Sequence, residues 1–261
     1  VDLTKLIVET LRKFNRNIPI ALSSSTQVEQ DNPYGKSKLA AEEVIQNYSA
    51  STGALHYIYR LPNVFGKWCK PNYNSFIATF CNNIMKGSEI SINNPRTPVS
   101  LVYIDDVCAS LLELLEGNVK PGFNKVPVEF NTTVGEVADI IRSFKASRAT
   151  LITEPVGTGL TRALYATYLS YTDPENFSYS LVSHTDERGV FCEMLKTHNS
   201  GQFSFFTAHP GVTRGGHYHH TKSEKFLVIK GEARFGFRHI LTGERYSITT
   251  SGDYPRIVDT V

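Results

Sequence analysis

The sequence has little that would place it in a membrane, in an oxidising compartment or on a nucleic acid. No apolar run reaches the roughly eighteen residues a membrane helix needs, which excludes a helical span. The net charge is only +2, too small to draw nucleic acid or an anionic membrane surface. Cys69, Cys81, Cys108 and Cys192 have neither pair spacing nor metal-ligand spacing. Each is expected to act as a small buried hydrophobe in a reducing compartment. The start, Val-Asp-Leu-Thr, carries neither an initiator Met nor a signal peptide, and a cytoplasmic location is expected. Internal repeats and low-complexity tracts are missing. What remains, 261 residues at 41% apolar and 20% charged, is an ordinary globular composition with length for one large or two medium domains.

The amino-terminal half alternates helix and strand. Residues 1–14 carry apolar positions at 3, 6, 7, 8 and 11, a helical stripe with basic residues toward its end. Ile18–Leu22 is a short strand emptying into Ser23-Ser-Ser-Thr26. Asn32-Pro33 breaks the chain before a helix over about 34–48, with Leu39, Ala40, Val44 and Ile45 as its buried stripe. Leu55–Arg60 is the next strand, followed by Pro62 and Asn63. Such alternation implies a parallel sheet with helices on both faces. Ligands of these sheets bind outside the carboxyl ends of the strands, where Ser25, Tyr34 and Asn63 fall. Tyr34 and Lys38 stand four apart, on one helix face. The ammonium favours phenolate, so Tyr34 is expected to work as a general acid/base, with the Ser25 hydroxyl on the same substrate oxygen. A plain solvated helix surface is the alternative.

These segments resemble the extended short-chain dehydrogenase/reductase family. Leu-Ser-Ser-Ser-Thr, Asn-Pro-Tyr-Gly-Lys-Ser-Lys, Arg60-Leu-Pro-Asn-Val-Phe-Gly66 and Val102-Tyr-Ile-Asp-Asp-Val107 match in order and spacing. The resemblance implies a catalytic set of Ser25, Tyr34 and Lys38, with NADPH or NADH held by Tyr34 and Lys38. It also implies a nucleotide-activated sugar facing Asn63. The Gly-x-x-Gly-x-x-Gly turn of a dinucleotide site is absent, and Gly157-Thr-Gly159 has no βαβ setting to replace it. The expectation is a chain that begins partway through the domain.

Farther along, 68–74 reads as a loop and Ser75–Lys86 as an apolar-striped helix, with Asn72 and Asn74 in turn chemistry. Val99–Ile104 is a strand opening a helix that Asp105 is expected to cap. Thr133-Val-Gly-Glu136 has capping-box spacing before a helix ending near Lys145. Residues 146–165 are harder to place; Glu154-Pro-Val-Gly-Thr-Gly-Leu160 is weak in periodicity and reads as the linker between domains over 1–160 and 166–261.

Beyond Tyr165, short strands at Phe177–Val182, Val190–Leu195, Gln202–Thr207, Ala233–Ile240 and Arg245–Thr250 suggest a sandwich or barrel. Between them lies Gly211, then His217, His219, Glu224 and Gly231. On a strand, His-x-His presents both imidazoles on one face. Phe226–Ile229 reads as a neighbouring strand returned by a turn at Lys230-Gly-Glu232, with Glu224 at its start. His217, His219 and Glu224 would suit a divalent metal, with zinc the expected ion, in an open site. The plainer alternative is a His-rich surface hairpin.

This spacing resembles the first motif of the cupin family, which implies an all-β barrel; the second motif, Pro-x-Gly-x-x-His, is absent. Asp186-Glu-Arg-Gly-Val-Phe and Thr213-Arg-Gly-Gly-His217 are similar to nucleotide-sugar 3,5-epimerases. That likeness implies substrate binding by Arg214 and makes His217 a candidate base instead of a ligand. Taken whole, the chain resembles the CapF-type family of bacterial capsular-polysaccharide synthesis. The resemblance covers Phe-Gly-Lys-Trp-Cys-Lys-Pro-Asn-Tyr-Asn-Ser and His-His-Thr-Lys-x-Glu-Lys-Phe-Leu-Val. It implies an α/β Rossmann-like parallel sheet followed by a cupin barrel, in a homodimer. The substrate implied is a UDP-linked 4-keto-6-deoxy amino sugar, epimerised at C3 and then reduced at C4 with NADPH. Two rival readings stand beside it. One is a 4,6-dehydratase or 4-epimerase with a structural cupin, and the other a non-enzymatic sugar-binding cupin on a degenerate reductase scaffold.

Overall fold

The computed structural model describes residues 1–260. They divide into two compact units, one of residues 1–184 with 191–206, the other of residues 185–190 with those from Thr207 onward.

In the first unit, α1 (Asp2–Lys13) carries Asp2 in its first turn and Arg12 and Lys13 in its last, opposite in sign to the helix dipole at each end. It leads into β1 (Ile20–Ser25) and a 3-10 turn, Thr26–Glu29. Helix α2 (Pro33–Thr52) starts where the Asn32 side chain accepts from the Gly35 amide at 2.8 Å, with Pro33 in its first turn. It stops at Gly53 in the left-handed conformation, φ 74°. The buried face of α2 is Ala41, Glu42, Ile45 and Tyr48, not the expected stripe through Leu39 and Ala40. The Glu42 carboxylate occupies that buried face, and Leu39 is left exposed.

Strand β2 (His56–Leu61) lies parallel to β1, with Ser24 opposite Arg60 and Ser25 opposite Leu61. Next come β3 (Asn63–Phe65), α3 (Phe76–Lys86), β4 (Pro98–Tyr103), α4 (Ile104–Leu115), β5 (Gly122–Asn124) and β6 (Phe130–Thr133). The parallel sheet runs β1-β2-β5; a second runs β3-β4-β6, with only β6 antiparallel. The expected Rossmann-like parallel arrangement is therefore present. Helix α5 (Val134–Thr150) opens on the anticipated capping box. The Thr133 hydroxyl accepts from the Glu136 amide at 3.2 Å, and the Glu136 carboxylate accepts from the Thr133 amide at 3.0 Å.

Residues 154–158 of the expected linker are irregular, but they join elements of the first unit, and the rest of 146–165 is ordered structure. Helix α5 continues to Thr150, and then come β7 (Ile152–Thr153) and α6 (Gly159–Leu169). Leu160, Ala163, Leu164, Thr167 and Tyr168 are in fact a helical stripe, whose start is masked by Pro155-Val-Gly-Thr-Gly. Ala163 and Leu164 are fully buried against α3 and α5, and Phe144 meets Tyr165 edge-on at 5.0 Å. Residues 177–182, expected as a strand, are irregular and follow a 3-10 turn at Pro174–Asn176. Phe177, Tyr179 and Val182 are exposed, so no sheet face rewards the pattern. After β8 (Ser183–Asp186) and β9 (Gly189–Thr197), β10 (Gln202–Phe206) pairs antiparallel with β9.

In the second unit, β11 (Glu224–Leu227) pairs with β14 (Ile257–Thr260), and β12 (Glu232–Arg238) pairs with β13 (Arg245–Ser251), both antiparallel. Gly231 turns the chain at φ 79°, but β11 and β12 are not partners, so the expected 230–232 hairpin is replaced by a crossing to a different ladder. The expected cupin barrel is not seen closed among the described residues: the ladders β11-β14 and β12-β13 are separate. Nor is any helix among them long and apolar enough to cross a membrane. Cys81 and Cys192 are buried as expected, whereas Cys108 is exposed.

Thr133→Ala removes one half of the capping box and should lower the urea-unfolding free energy by about 1 kcal/mol with an unchanged slope. Hydrogen bonds from Thr132 and Thr133 hold the Glu136 carboxyl below its ordinary value of 4.5. The Glu136 contribution is thus present above 4.5 and lost as pH falls below it. The acid arm of the stability profile should flatten in Glu136→Gln.

Candidate active site

The carboxyl end of β1 brings three expected residues into one neighbourhood. Ser25 is nearly buried, and its hydroxyl accepts from the Gln27 amide at 3.2 Å. Its own proton stays available to a substrate oxygen. Tyr34 is half exposed in the first turn of α2, and the Lys38 ammonium lies 5.8 Å from its ring centroid. That ammonium donates to the Ser23 carbonyl at 2.9 Å, which fixes this face of α2 on the end of β1. Gly35, between them, is required by space. A Cβ there would stand 2.1 Å from the Gln27 carbonyl oxygen, so α2 could not approach the 3-10 turn.

Behind these side chains is a network that sequence reasoning missed. Glu42 is 1% exposed. Its carboxylate accepts from the Ser24 hydroxyl and from the Arg60 guanidinium, Nη2 to Oε2 at 2.7 Å and Nε to Oε1 at 3.1 Å. Tyr34, Lys38 and Glu42 follow at four-residue intervals, so one stripe of α2 carries all three. The signal was available as an acidic residue continuing the Tyr34–Lys38 spacing. Arg60 also stacks on Phe123, 4.7 Å to the ring centroid, and borders a cleft of about 390 Å³. Thr26, Glu29, Pro62 and Asn124 line it as well; Tyr34 and Lys38 do not.

Asn63 donates from its amide nitrogen to the Ser100 carbonyl at 3.1 Å, tying β3 to β4. Asp105 caps nothing. Tyr103 precedes α4 without a side-chain cap, and Asp105 instead accepts from Lys67 at 3.2 Å. A carboxylate in the first turn of a helix gains from the dipole without being the cap, and here a lysine is within reach.

In the second unit the expected metal triad is not assembled. His217 and His219 lie in an irregular segment and not on a strand, their rings edge-on at 4.8 Å. Glu224 does begin a strand, β11, as expected. Among the described residues no three His, Cys, Asp or Glu side chains converge on a point where a metal could sit. Three Gly residues in the left-handed region, 211, 215 and 216, bend this segment out of strand geometry and so remove the shared face. These side chains do not fit zinc, and no chemistry is routed through a metal. Arg214 donates to the Thr207 carbonyl at 2.8 Å.

A UDP-2-acetamido-2,6-beta-L-arabino-hexul-4-ose reductase of Pseudomonas aeruginosa strain PA103 is 54% identical over 261 residues, all of this chain and 70% of that protein. The crystal structure of the capsular polysaccharide assembling protein CapF of Staphylococcus aureus superposes with a TM-score of 0.91 at 42% identity. That match covers 98% of this chain and 70% of CapF. The chain belongs to the CapF-type family.

Two sequence profiles meet in this chain. The NAD dependent epimerase/dehydratase family matches residues 13–125, and the polysaccharide biosynthesis C-terminal domain matches 184–261. A UDP-glucose 4-epimerase of Thermotoga maritima, 17% identical with a TM-score of 0.53 over 64% of this chain and 67% of its own, shares the fold. The first profile implies a nicotinamide cofactor. The side chains present fit the ribose end of one: the Lys38 ammonium has three N–H donors and spends one on Ser23.

The Glu42 network generates a stability prediction. Arg60→Leu leaves a buried carboxylate without its cation and should destabilise by roughly 3 kcal/mol, the low end for such a loss because the Arg60 side chain is 33% exposed. Replacing both partners by Leu should recover most of it in urea unfolding.

Proposed function

We propose that this CapF-type protein is an NADPH-dependent nucleotide-sugar reductase with a second, C3-epimerising site, serving capsular polysaccharide synthesis. Its substrate is a UDP-linked 4-keto-6-deoxy amino sugar and its product a UDP-6-deoxy-L-talosamine-type sugar. The placement of Ser25, Tyr34 and Lys38 around the carboxyl end of β1, braced by the Lys38–Ser23 bond, is the observation that carries the reading. The 54% identical relative, itself named a keto-hexulose reductase, supports the substrate class.

Reduction of the C4 ketone adds one hydride at carbon and one proton at oxygen. Bound nicotinamide supplies the hydride. Tyr34 delivers the proton to O4, Ser25 donates a hydrogen bond to the same oxygen, and Lys38 holds the ribose. The order of events follows from carbonyl chemistry. A proton at C3 is acidic only while C4 is a ketone, so epimerisation precedes reduction. His217 is the proposed base, taking the C3 proton and allowing its return on the other face, and Arg214 is proposed to hold the substrate there. A homodimer is part of the same reading.

Tyr34→Phe should lower keto-sugar-dependent NADPH oxidation by about 10² to 10⁴-fold while leaving deuterium uptake at C3 unchanged. His217→Ala should abolish that uptake. If both substitutions abolish C3 exchange, or neither does, two separate proton-transfer sites are rejected.

A further inference from the structure

The Ser24–Glu42–Arg60 network does something that stability alone does not account for. Desolvating a carboxylate and a guanidinium largely offsets their attraction, and well-packed apolar side chains of the same volume hold a fold as firmly. What apolar contacts do not supply is direction, because the hydrophobic effect depends on area and not on angle.

The network is directional at every contact. The Arg60 Nη2 reaches the Glu42 Oε2 at 2.7 Å, and Nε lies 3.1 Å from Oε1 and 3.3 Å from Oε2. The plane of that fork is set independently. Phe123 of β5 stacks on it with the ring centroid 4.7 Å away, and Nη1 stands 3.8 Å from a Glu29 oxygen. A planar fork takes a carboxylate in few orientations. The Ser24 hydroxyl donates to the same carboxylate from the strand that carries Ser25.

The other contacts of α2 constrain it less. Ala41 and Ile45 are apolar and buried, and Gly35 sets only how near the helix comes to Gln27. Lys38 bonds Ser23 through a flexible four-carbon stem that tolerates small rotations. The Tyr48 hydroxyl is tied to Arg16 and Ile18, but Tyr48 lies about 21 Å along the helix from Tyr34. Glu42 is about 6 Å from Lys38 and about 12 Å from Tyr34 along the axis. With side-chain tips about 5–6 Å from that axis, a turn of about 10° moves them by about 1 Å. Misplacement of that size can cost about a hundredfold in rate.

We propose that Glu42 is a positioning residue of the reduction step, whose contribution is the alignment of Tyr34 and Lys38 and not net stability. It touches no reactant. Stability and turnover are therefore separable: an apolar replacement of the whole network restores the first and not the second. This rests on the reductase reading and deepens it.

The test compares full-length wild type, Tyr34→Phe, and the apolar variant Ser24→Ala/Glu42→Leu/Arg60→Leu, in which none of the three side chains keeps a polar atom in need of a partner. Urea unfolding of the apolar variant should remain one cooperative transition near the wild-type midpoint. Its kcat for NADPH oxidation with the UDP-linked 4-keto sugar should fall roughly a hundredfold. In the Tyr34→Phe background the same substitutions should cost at most about threefold, since no phenol is left to align. Partial unfolding would instead lower both backgrounds by one factor. Glu42→Asp keeps the charge, leaves Arg60 in place and draws the carboxylate back by one methylene. There kcat should fall about tenfold with KM unchanged. Wild-type kcat in the folded apolar variant overturns the proposal, as do equal fold-losses in the two backgrounds. Failure of the apolar variant to fold overturns the separation of stability from turnover, and Glu42→Asp then decides the positioning role by itself, wild-type kcat rejecting it. Full turnover in Tyr34→Phe rejects the reductase reading; loss there beside wild-type kcat in both Glu42 variants rejects the positioning role alone.

Discussion

Burial of the Glu42 carboxylate is the constraint on which the amino-terminal half depends. An ionised carboxylate that is 1% exposed is tolerable only where donors surround it, and those donors come from two other elements, Ser24 of β1 and Arg60 of β2. Because Ser24 and Arg60 are register partners in the sheet, the carboxylate bridges adjacent strands as well as helix and sheet. Helix α2 can take only one rotation and one height above β1 that satisfies it. Lys38 and Tyr34, one and two turns earlier on the same stripe, inherit that placement. The chemistry of the candidate site is exposed and polar, and its precision is borrowed from this charge pair beneath it.

Gly35 and Lys38 complete the arrangement from the other end. The missing Cβ lets the first turn of α2 touch the Gln27 carbonyl, while the Lys38 ammonium closes on Ser23. The strand end is therefore gripped at three heights. The phenol of Tyr34 and the ammonium of Lys38 then stand beside the strand end that carries the buried Ser25 hydroxyl.

The amino-terminal half was largely legible because its signals are local. Asn32-Pro33 before α2, the Thr133–Glu136 box before α5 and the Ser-rich end of β1 each have a physical reason readable within a few residues. Of the Glu42 network only the continued Tyr34–Lys38 spacing was legible, since hydrophobic patterning counts a carboxylate as solvent-facing and its partners are distant in sequence. Helix α6 was missed because two glycines and a proline stand before a stripe only three turns long. In the carboxy-terminal half, His217 and His219 sit in a Gly-rich bend, not on a strand, so the period-two argument that would have aimed them together did not apply. Asp105 shows the same limit on a smaller scale. Its place at a helix start was right, and its partner, Lys67, could come only from the fold.

The pairing of β11 with β14 carries a consequence for how the candidate base acquires its surroundings. Leu227 opposes Ile257, so about thirty residues, including the whole β12-β13 ladder, must emerge before β11 has a partner. Local hairpins close in microseconds, whereas pairings separated by a long loop wait for loop closure. On a ribosome the segment bearing His217 would leave the tunnel tens of residues ahead of the strand that anchors its downstream end. The strands and helices of residues 1–169 are by then already synthesised, so this ladder closes after they have formed.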